Sequence, residues 1–320
     1  MNEFELINKY FSNLTKNNKS ALKLNDDVFF DKSNRLVISV DTYVEGVHFV
    51  NFNKPDLVIK KILRSSISDL FCKGVKPKYY FISGSGSKQK FTKSNLEKIS
   101  KSLLREQKKY KIFLSGGDTV FSNKLSFTVV SVGLSDKIIY RNNAKVNDDI
   151  YLTGTLGDSY IGLKILKKEI SFGKNLNNYF IKKYYLPDLQ IKLSAKMFDF
   201  ANTSIDISDG LLADLEKLIC KQKLSYELFL DKIPISKNMQ KLLVKKKNIN
   251  KLSIVSHGDD YQILFTASPS NSRIISKISK SLGLKISKIG KIYSKIKKST
   301  IIDKNGNKIS PNFKGYEHQF

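Results

Sequence analysis

Carboxylates recur in this chain beside glycine and hydroxyl side chains, in short segments spread from position 26 to position 260. They read LNDDV (Asp26, Asp27), SVDTYVEGVHF (Asp41), SISDLFCKG (Asp69), LSGGDTV (Asp118), SIDISDGLLADL (Asp206, Asp209) and SHGDDYQILF (Asp259, Asp260). The rest is strongly basic, with a formal net charge of +27, so these acids do not serve solubility. Mg²⁺ is hard, takes oxygen ligands and is commonly shared between carboxylates and substrate phosphates. The pattern therefore points to ATP-dependent phosphoryl transfer. In GGDT (Gly116–Thr119) two glycines let the backbone approach a phosphate and expose amide donors, although an Asx turn would read alike. Asp206 closes a short strand. Ser208 and Asp209 open a helix, where free amides and the dipole favour phosphate. An N-cap would use one such group, not three in four positions. Asp69 interrupts a helix end flanked by Ile67, Leu70 and Phe71. An unpaired charge is costly there, and a metal would explain it. His48, after Gly46, suits either a substrate phosphate or a plain surface position. P-loop, dinucleotide GxGxxG and protein-kinase signatures are absent. GTLGDS (Gly154–Ser159) reads better as a tight strand–helix connection than as a phosphate loop.

Alternating strands and helices must place these groups. Residues 35–40 predict a buried strand ending at Asp41. Residues 57–72 predict a helix, 79–84 a strand, and 93–109 a Lys-rich helix. A strand at 111–115 runs into Gly116, and 126–134 is a continuous apolar strand. The polar cluster at 142–149 marks a change of unit. Beyond it come a strand at 150–153, a helix from about Ser159, a helix at 189–201, the SIDISDG strand end and a helix at 211–221. Strands at 226–230, 261–266 and 286–293 then alternate with helices near 236–245 and 270–281. The start, MNEFELINKYF, predicts an amphipathic helix with Phe4, Ile7 and Phe11 on one side and no secretory signal. The fold class is two-domain, an α/β unit at 1–145 and an α+β unit at 146–320.

With 320 residues, 41% of them hydrophobic, the chain can bury two cores. No apolar run approaches the ~18 residues of a membrane span. Cys72 and Cys220 fall in predicted helices without metal spacing, as expected of reduced, partly buried thiols in a cytoplasmic protein. Arginine occurs only at 35, 64, 105, 141 and 273. Nucleic-acid readers favour its bidentate fork, so the dispersed lysines read as solvated faces. No specific nucleic-acid partner and no membrane are expected.

Taken in order, the segments resemble the thiamine-monophosphate kinases, of the superfamily of aminoimidazole ribonucleotide synthetase, selenophosphate synthetase and HypE. The resemblance rests on the Asp pair at 26–27, Ser39–Phe49, SDL at 68–70, GGDT at 116–119, YLTGTLGDS at 151–159, IDISDGLLADL at 205–215, GDDYQILFT at 258–266 and FKGYEH at 313–318. It implies aminoimidazole ribonucleotide synthetase-like N- and C-terminal domains and a homodimer whose N-terminal strands pair, with 126–134 as a candidate pairing strand. It also implies ATP in a cleft between the domains and several Mg²⁺ ions. Carried onto matching positions, Asp27, Ser39, Asp41, Asp69, Asp118, Asp206 and Asp209 resemble the Mg²⁺ set. Gly117, Asp118, Arg141 and Ser208 resemble ATP contacts. His48, Asp259 and Phe313 resemble thiamine monophosphate contacts, and Asp118, Asp209 and Arg141 are the catalytic candidates. The implied reaction is direct transfer from ATP to thiamine monophosphate. The chain departs from the family at Asn25 (usually Gly), Val40 (Thr, a hydroxyl expected near the metals), Ser66 (Asn), Asp259 (Glu) and Phe313 (Trp).

Overall fold

The computed structural model describes residues 1–246, 249–296 and 298–320. The first unit holds α1 (Glu3–Leu6), β1 (Phe29–Asp31), β2 (Leu36–Val44), α2 (Pro55–Cys72), β3 (Pro77–Gly86), α3 (Lys93–Tyr110), β4 (Phe113–Phe121) and β5 (Ser126–Leu134). The second holds β6 (Asp149–Thr153), α4 (Asp158–Leu166), α5 (Lys174–Tyr185), α6 (Ile191–Ser194), β7 (Ala201–Asp206), α7 (Leu211–Ile219) and β8 (Leu224–Phe229). It continues with α8 (Lys237–Lys245), α9 (Lys251–Val255), β9 (Ile263–Ala267), α10 (Ser272–Leu282), β10 (Ile286–Ser294), β11 (Thr300–Ile302) and β12 (Lys308–Ile309).

Two sheets organise the chain. The first has order β1-β2-β5-β3-β4, the second β12-β11-β8-β10-β6-β9-β7. In the first, β2 pairs with β5 over its whole length, from Leu36 opposite Leu134 to Val44 opposite Ser126. Its β-branched residues favour that extended run, so the strand does not stop at Asp41 as the sequence suggests but carries Asp41 in its middle. Strand alternation then puts Ser39, Asp41 and Tyr43 on one face. That face meets α2, whose apolar residues Val58, Ile59, Ile62, Leu63 and Ile67 are fully buried. The other face and the β4 edge stay open: all nine residues of β4 are exposed.

Several expectations need correction. Strand β5 has partners on both sides, β2 and β3, so it has no free edge to offer a second copy. GGDT does not follow a strand but lies inside β4, where one extra residue between Leu114 and Gly117 bulges the pairing with β3. The helix expected at 189–201 breaks into α6, a 3₁₀ turn at Ala195–Asp199, and β7. Pairing of Ala201 with Ala267 takes that segment into the sheet, a tertiary contact overriding local propensity. The N-terminal helix covers only Glu3–Leu6 before a π turn through Phe11, and Phe4 and Phe11 remain exposed. Helix α5, helix α9 and the short strands β1, β11 and β12 were not evident in the sequence pattern. Cys72 is buried as expected, but Cys220 is exposed. No described helix is long and apolar enough to cross a membrane.

Candidate active site

Helix α2 brings a row of hydroxyls and one acid against the Ser39–Asp41 face. Ser66 Oγ lies 2.9 Å from Ser131 Oγ on β5 and also bonds Asp41. Ser39 Oγ donates to Asp69. Strand β7 delivers Asp206 to the same place, where Ser68 bonds it. Its Oδ2 is buried without a hydrogen-bond partner. The electrostatics follow from this crowding. Burial raises Asp206 to about 8, with Asp27 adding to the rise and Ser68 opposing it. Burial also raises Asp41 to about 6, against the Ser66 hydrogen bond. Asp69 is pushed well up by burial and then by Asp41, Asp206 and Asp27. Carboxylates this close repel when ionised.

Two buried cations hold the rim. The fully buried Lys73 ammonium sits 2.8 Å from Asp26 Oδ1 and 2.6 Å from Asp27 Oδ2, and donates to the Ser204 carbonyl at 2.8 Å. Arg141 Nη1 lies 3.4 Å from Asp27 Oδ1. Burial works to raise Asp27, but Arg141 and Lys73 outweigh it and hold the acid at about 2. The Arg141 Nε is buried and has no partner.

The SDG turn departs from a plain cap. Neither Ser208 nor Asp209 caps α7. Instead the Asp209 and Gly210 amides both donate to Asp214 Oδ2, at 3.1 Å each, from inside the helix. Asp209 is thereby free to pair with Lys217. The GDDY loop is joined to this turn by backbone bonds: Asp259 N to Ser208 O and Tyr261 N to Ile207 O, both 2.8 Å. A Cβ on Gly258 would lie 1.8 Å from the Ser208 carbonyl oxygen, so only glycine fits. Asp260 is spent on structure, accepting from Gly157 N at 2.6 Å. This fixes GTLGDS as the β6–α4 connection.

Asp259 accepts from Lys61 Nζ at 2.6 Å and from Tyr261 Oη at 3.1 Å. His48 Nδ1 accepts from Val44 N at 3.0 Å, so its proton sits on Nε2. Burial, then His318, lowers its pKa. Phe313 stacks on His257 at 4.4 Å, and His257 on Tyr160 at 3.6 Å. The C-terminal strap carrying Phe313 is tied to the SDG turn by Tyr316 N to Asp209 O at 3.0 Å.

Asp27, Ser39, Asp41, Asp69 and Asp206 thus come together, with Arg141 on the rim. Ser208, Asp209, Asp259 and Phe313 share the neighbouring turn, loop and strap. Gly117 and Asp118 do not join them within one chain. Asp118 pairs with Ser83, which pairs with Thr128, itself opposite Thr42. That row lies on the open face, one position from the row of Asp41. Val40 is 61% exposed on the same open face, so a Thr-to-Val change there removes no hydroxyl from the carboxylate cluster. Among the described residues, no three His, Cys, Asp or Glu side chains form a ready-made metal group. Lys61, Lys73, Asp214, Lys217, Tyr160 and His257 were not singled out by sequence pattern.

The fold and this acidic centre define a class. The family model for "AIR synthase related protein, N-terminal domain" matches residues 23–135. HypE in its complex with HypF shares the fold, with a TM-score of 0.75 at 16% identity over 96% of this chain and 99% of that one. Curated relatives narrow the class. A thiamine-monophosphate kinase of Buchnera aphidicola subsp. Schizaphis graminum is 37% identical, covering 99% of this chain and 98% of its own length. That of Haemophilus influenzae is 31% identical, covering 92% and 90%. The chain belongs to the thiamine-monophosphate kinase family. A solved structure described as "AaThiL complexed with AMPPCP and TMP" matches with a TM-score of 0.84 at 27% identity, over 99% of this chain and 97% of that one.

Proposed function

We propose that this protein transfers the γ-phosphoryl group of ATP to thiamine monophosphate, yielding thiamine diphosphate, as a Mg²⁺-dependent homodimer in the cytoplasm. The observation carrying this reading is the crowded set Asp41, Asp69 and Asp206, whose pKa values are all raised by burial first and by neighbouring carboxylates, Asp27 among them, second. A cation relieves that repulsion, and hard oxygen donors suit Mg²⁺. The orphaned Asp206 Oδ2 fits the same ion. Because, among the described residues, no three of these acids are close enough to hold an ion on their own, substrate phosphates would complete the ligand shell. Asp27, Ser39, Asp41, Asp69, Asp206 and Asp209 would hold the ions from this side, and Asp118 from the open face. When bound, Mg²⁺ bridges phosphates and neutralises charge in the transition state.

The chain's own groups do the positioning. Arg141 presents an unpartnered buried Nε to a phosphate, and Ser208 and Gly117 offer further nucleotide contacts. The acceptor is a phosphate oxygen, already anionic, so no strong general base is needed. Asp118, Asp209 and Arg141 act at the transferring group by fixing charge and line of attack. His48, Asp259 and Phe313 hold the thiamine end. The homodimer rests on the open β4 edge and face, where Phe113, Val120 and Phe121 are 59%, 51% and 72% exposed. Long apolar edges are otherwise aggregation hazards, and a second copy would bring Asp118 beside a nucleotide held there.

The test is purified protein with ATP, Mg²⁺ and thiamine monophosphate, separating thiamine diphosphate by chromatography. Product that vanishes with EDTA and in Asp118→Asn and Asp209→Asn is expected. Folded, ATP-binding protein that makes none would overturn the reading.

A further inference from the structure

Lys61 is a charged residue in the wrong kind of place. It sits on α2 between Ile59 and Ile62, both fully buried, and is itself 1% exposed. An apolar side chain would pack there without a desolvation cost, whereas a buried ammonium needs a partner and hydrogen bonds. Its charge is met from two sides. Asp259 Oδ1 lies 2.6 Å from Nζ, and the Tyr184 ring centroid lies 4.1 Å away, close enough for a cation–π contact. Tyr261 Oη donates to the same carboxylate oxygen. Both donors use Oδ1, and among the described residues none donates to Oδ2.

The loop bearing Asp259 is unusual in the same sense. Asp259 and Tyr261 both have left-handed backbones, at φ +67° and +50°. Such conformations cost energy in non-glycine residues and persist where the surroundings enforce them. The two amides on Ser208 and Ile207 and the Lys61 bond enforce them here. The result is a carboxylate with one oxygen locked from behind and the other left on its half-open side. The Asp259 side chain is 27% exposed, against 2% for that of Lys61.

We propose that Lys61 is a positioning residue for the acceptor. It holds Asp259 oriented, through its 2.6 Å bond to Oδ1, so that Oδ2 meets the cationic, amine-bearing ring portion of the substrate, and it does not itself bind the substrate's phosphate. This deepens the reading above and rests on it. Lys61 lies buried behind Asp259, bonded to its Oδ1, so its removal should act chiefly through that residue.

The experiment measures binding of thiamine monophosphate, thiamine and ATP by calorimetry to the full-length protein, together with KM and kcat. It compares wild type, Lys61→Met, Asp259→Asn and the double variant. Lys61→Met should weaken thiamine monophosphate and thiamine alike, roughly tenfold or more for a lost charge-assisted contact. ATP affinity should stay within about twofold of wild type, and kcat at saturating substrate should change little. In the Asp259→Asn background, Lys61→Met should add nothing, since the two act as one unit. Weakened thiamine monophosphate with unchanged thiamine would instead assign Lys61 to the phosphate and overturn the proposal. So would multiplying effects, or wild type binding the monophosphate but not thiamine. Should Lys61→Met fail to fold by circular dichroism, the double variant removes both charges together. Folded double variant with the affinity of Asp259→Asn supports the proposal, and an Asp259→Asn protein that loses stability but keeps its thiamine affinity overturns it. Wild type that binds neither thiamine compound sinks the functional reading rather than the pair.

Discussion

Replacing Asp206 by Asn should make the protein more stable and less active. Asp206 is 2% exposed, its Oδ2 has no partner, and its pKa is raised from 3.8 to about 8 by burial first and Asp27 next. The sign follows from linkage: the folded state favours the protonated form, so the contribution is full below pH 3.8 and is lost as pH climbs toward 8. At about 1.4 kcal/mol per unit, keeping this group neutral at pH 7 costs the fold about 4 kcal/mol. Asp27, Asp214 and Asp41 titrate together with Asp206, so only part of that cost belongs to this side chain, which leaves a gain of about 1–3 kcal/mol. For a domain of this size that is a rise of about 3–8 °C in Tm. Asn keeps the size and hydrogen-bonding capacity of the acid, so Ser68 retains its partner. The assay is thermal unfolding of wild type and Asp206→Asn in EDTA at pH 5 and pH 7, repeated with Mg²⁺. The gap should be largest at pH 7, shrink by more than half at pH 5, and narrow with Mg²⁺, which stabilises only the protein that binds it. An Asn variant no more stable than wild type at pH 7 without divalent ions refutes the reasoning, as does a gap that ignores pH.

Lysines introduced at Val120 and Phe121 should yield a monomer by light scattering with the fold unchanged by circular dichroism; an intact dimer would place the interface elsewhere. Gly258→Ala should cost about 3 kcal/mol, the upper end of the overpacking range, in urea unfolding, because the new Cβ meets the Ser208 carbonyl at 1.8 Å. The His48 pKa is depressed, so its stabilising contribution is present above 6.5 and lost as pH falls through the folded value. His48→Asn should therefore flatten part of the decline in Tm between pH 7 and pH 5, and an unchanged slope would exclude His48 as its source.

What could be read from the sequence, and what could not, divides by physical cause. Asp69 stood out because apolar neighbours made its charge expensive, and the structure buries those neighbours against the first sheet. The strand before Asp206 and the helix after Gly210 followed from ordinary periodicity. The face occupied by Asp118 could not be read, because one bulged residue in β4 decides it and Gly116-Gly117 permits either outcome. The buried lysines were hidden by abundance: in a chain with 56 Lys and Arg, nothing marks Lys61, Lys73 or Lys217 as different from their solvated neighbours. Asp214 was lost for a similar reason, since an acid in the first turn of a helix is common and its capping of the preceding turn is a matter of geometry.

The joins among the SDG turn, the GDDY loop and the C-terminal strap are made by main-chain atoms: Asp259 N to Ser208 O, Tyr261 N to Ile207 O, Tyr316 N to Asp209 O and Ala213 N to Lys314 O. Apart from the fixed glycine, their spacing does not depend on which side chains the segments carry. Such a framework separates architecture from vocabulary. If the side chains at 259 and 313 face the acceptor as proposed, an exchange at either would change what meets the ligand without moving the segment that carries it.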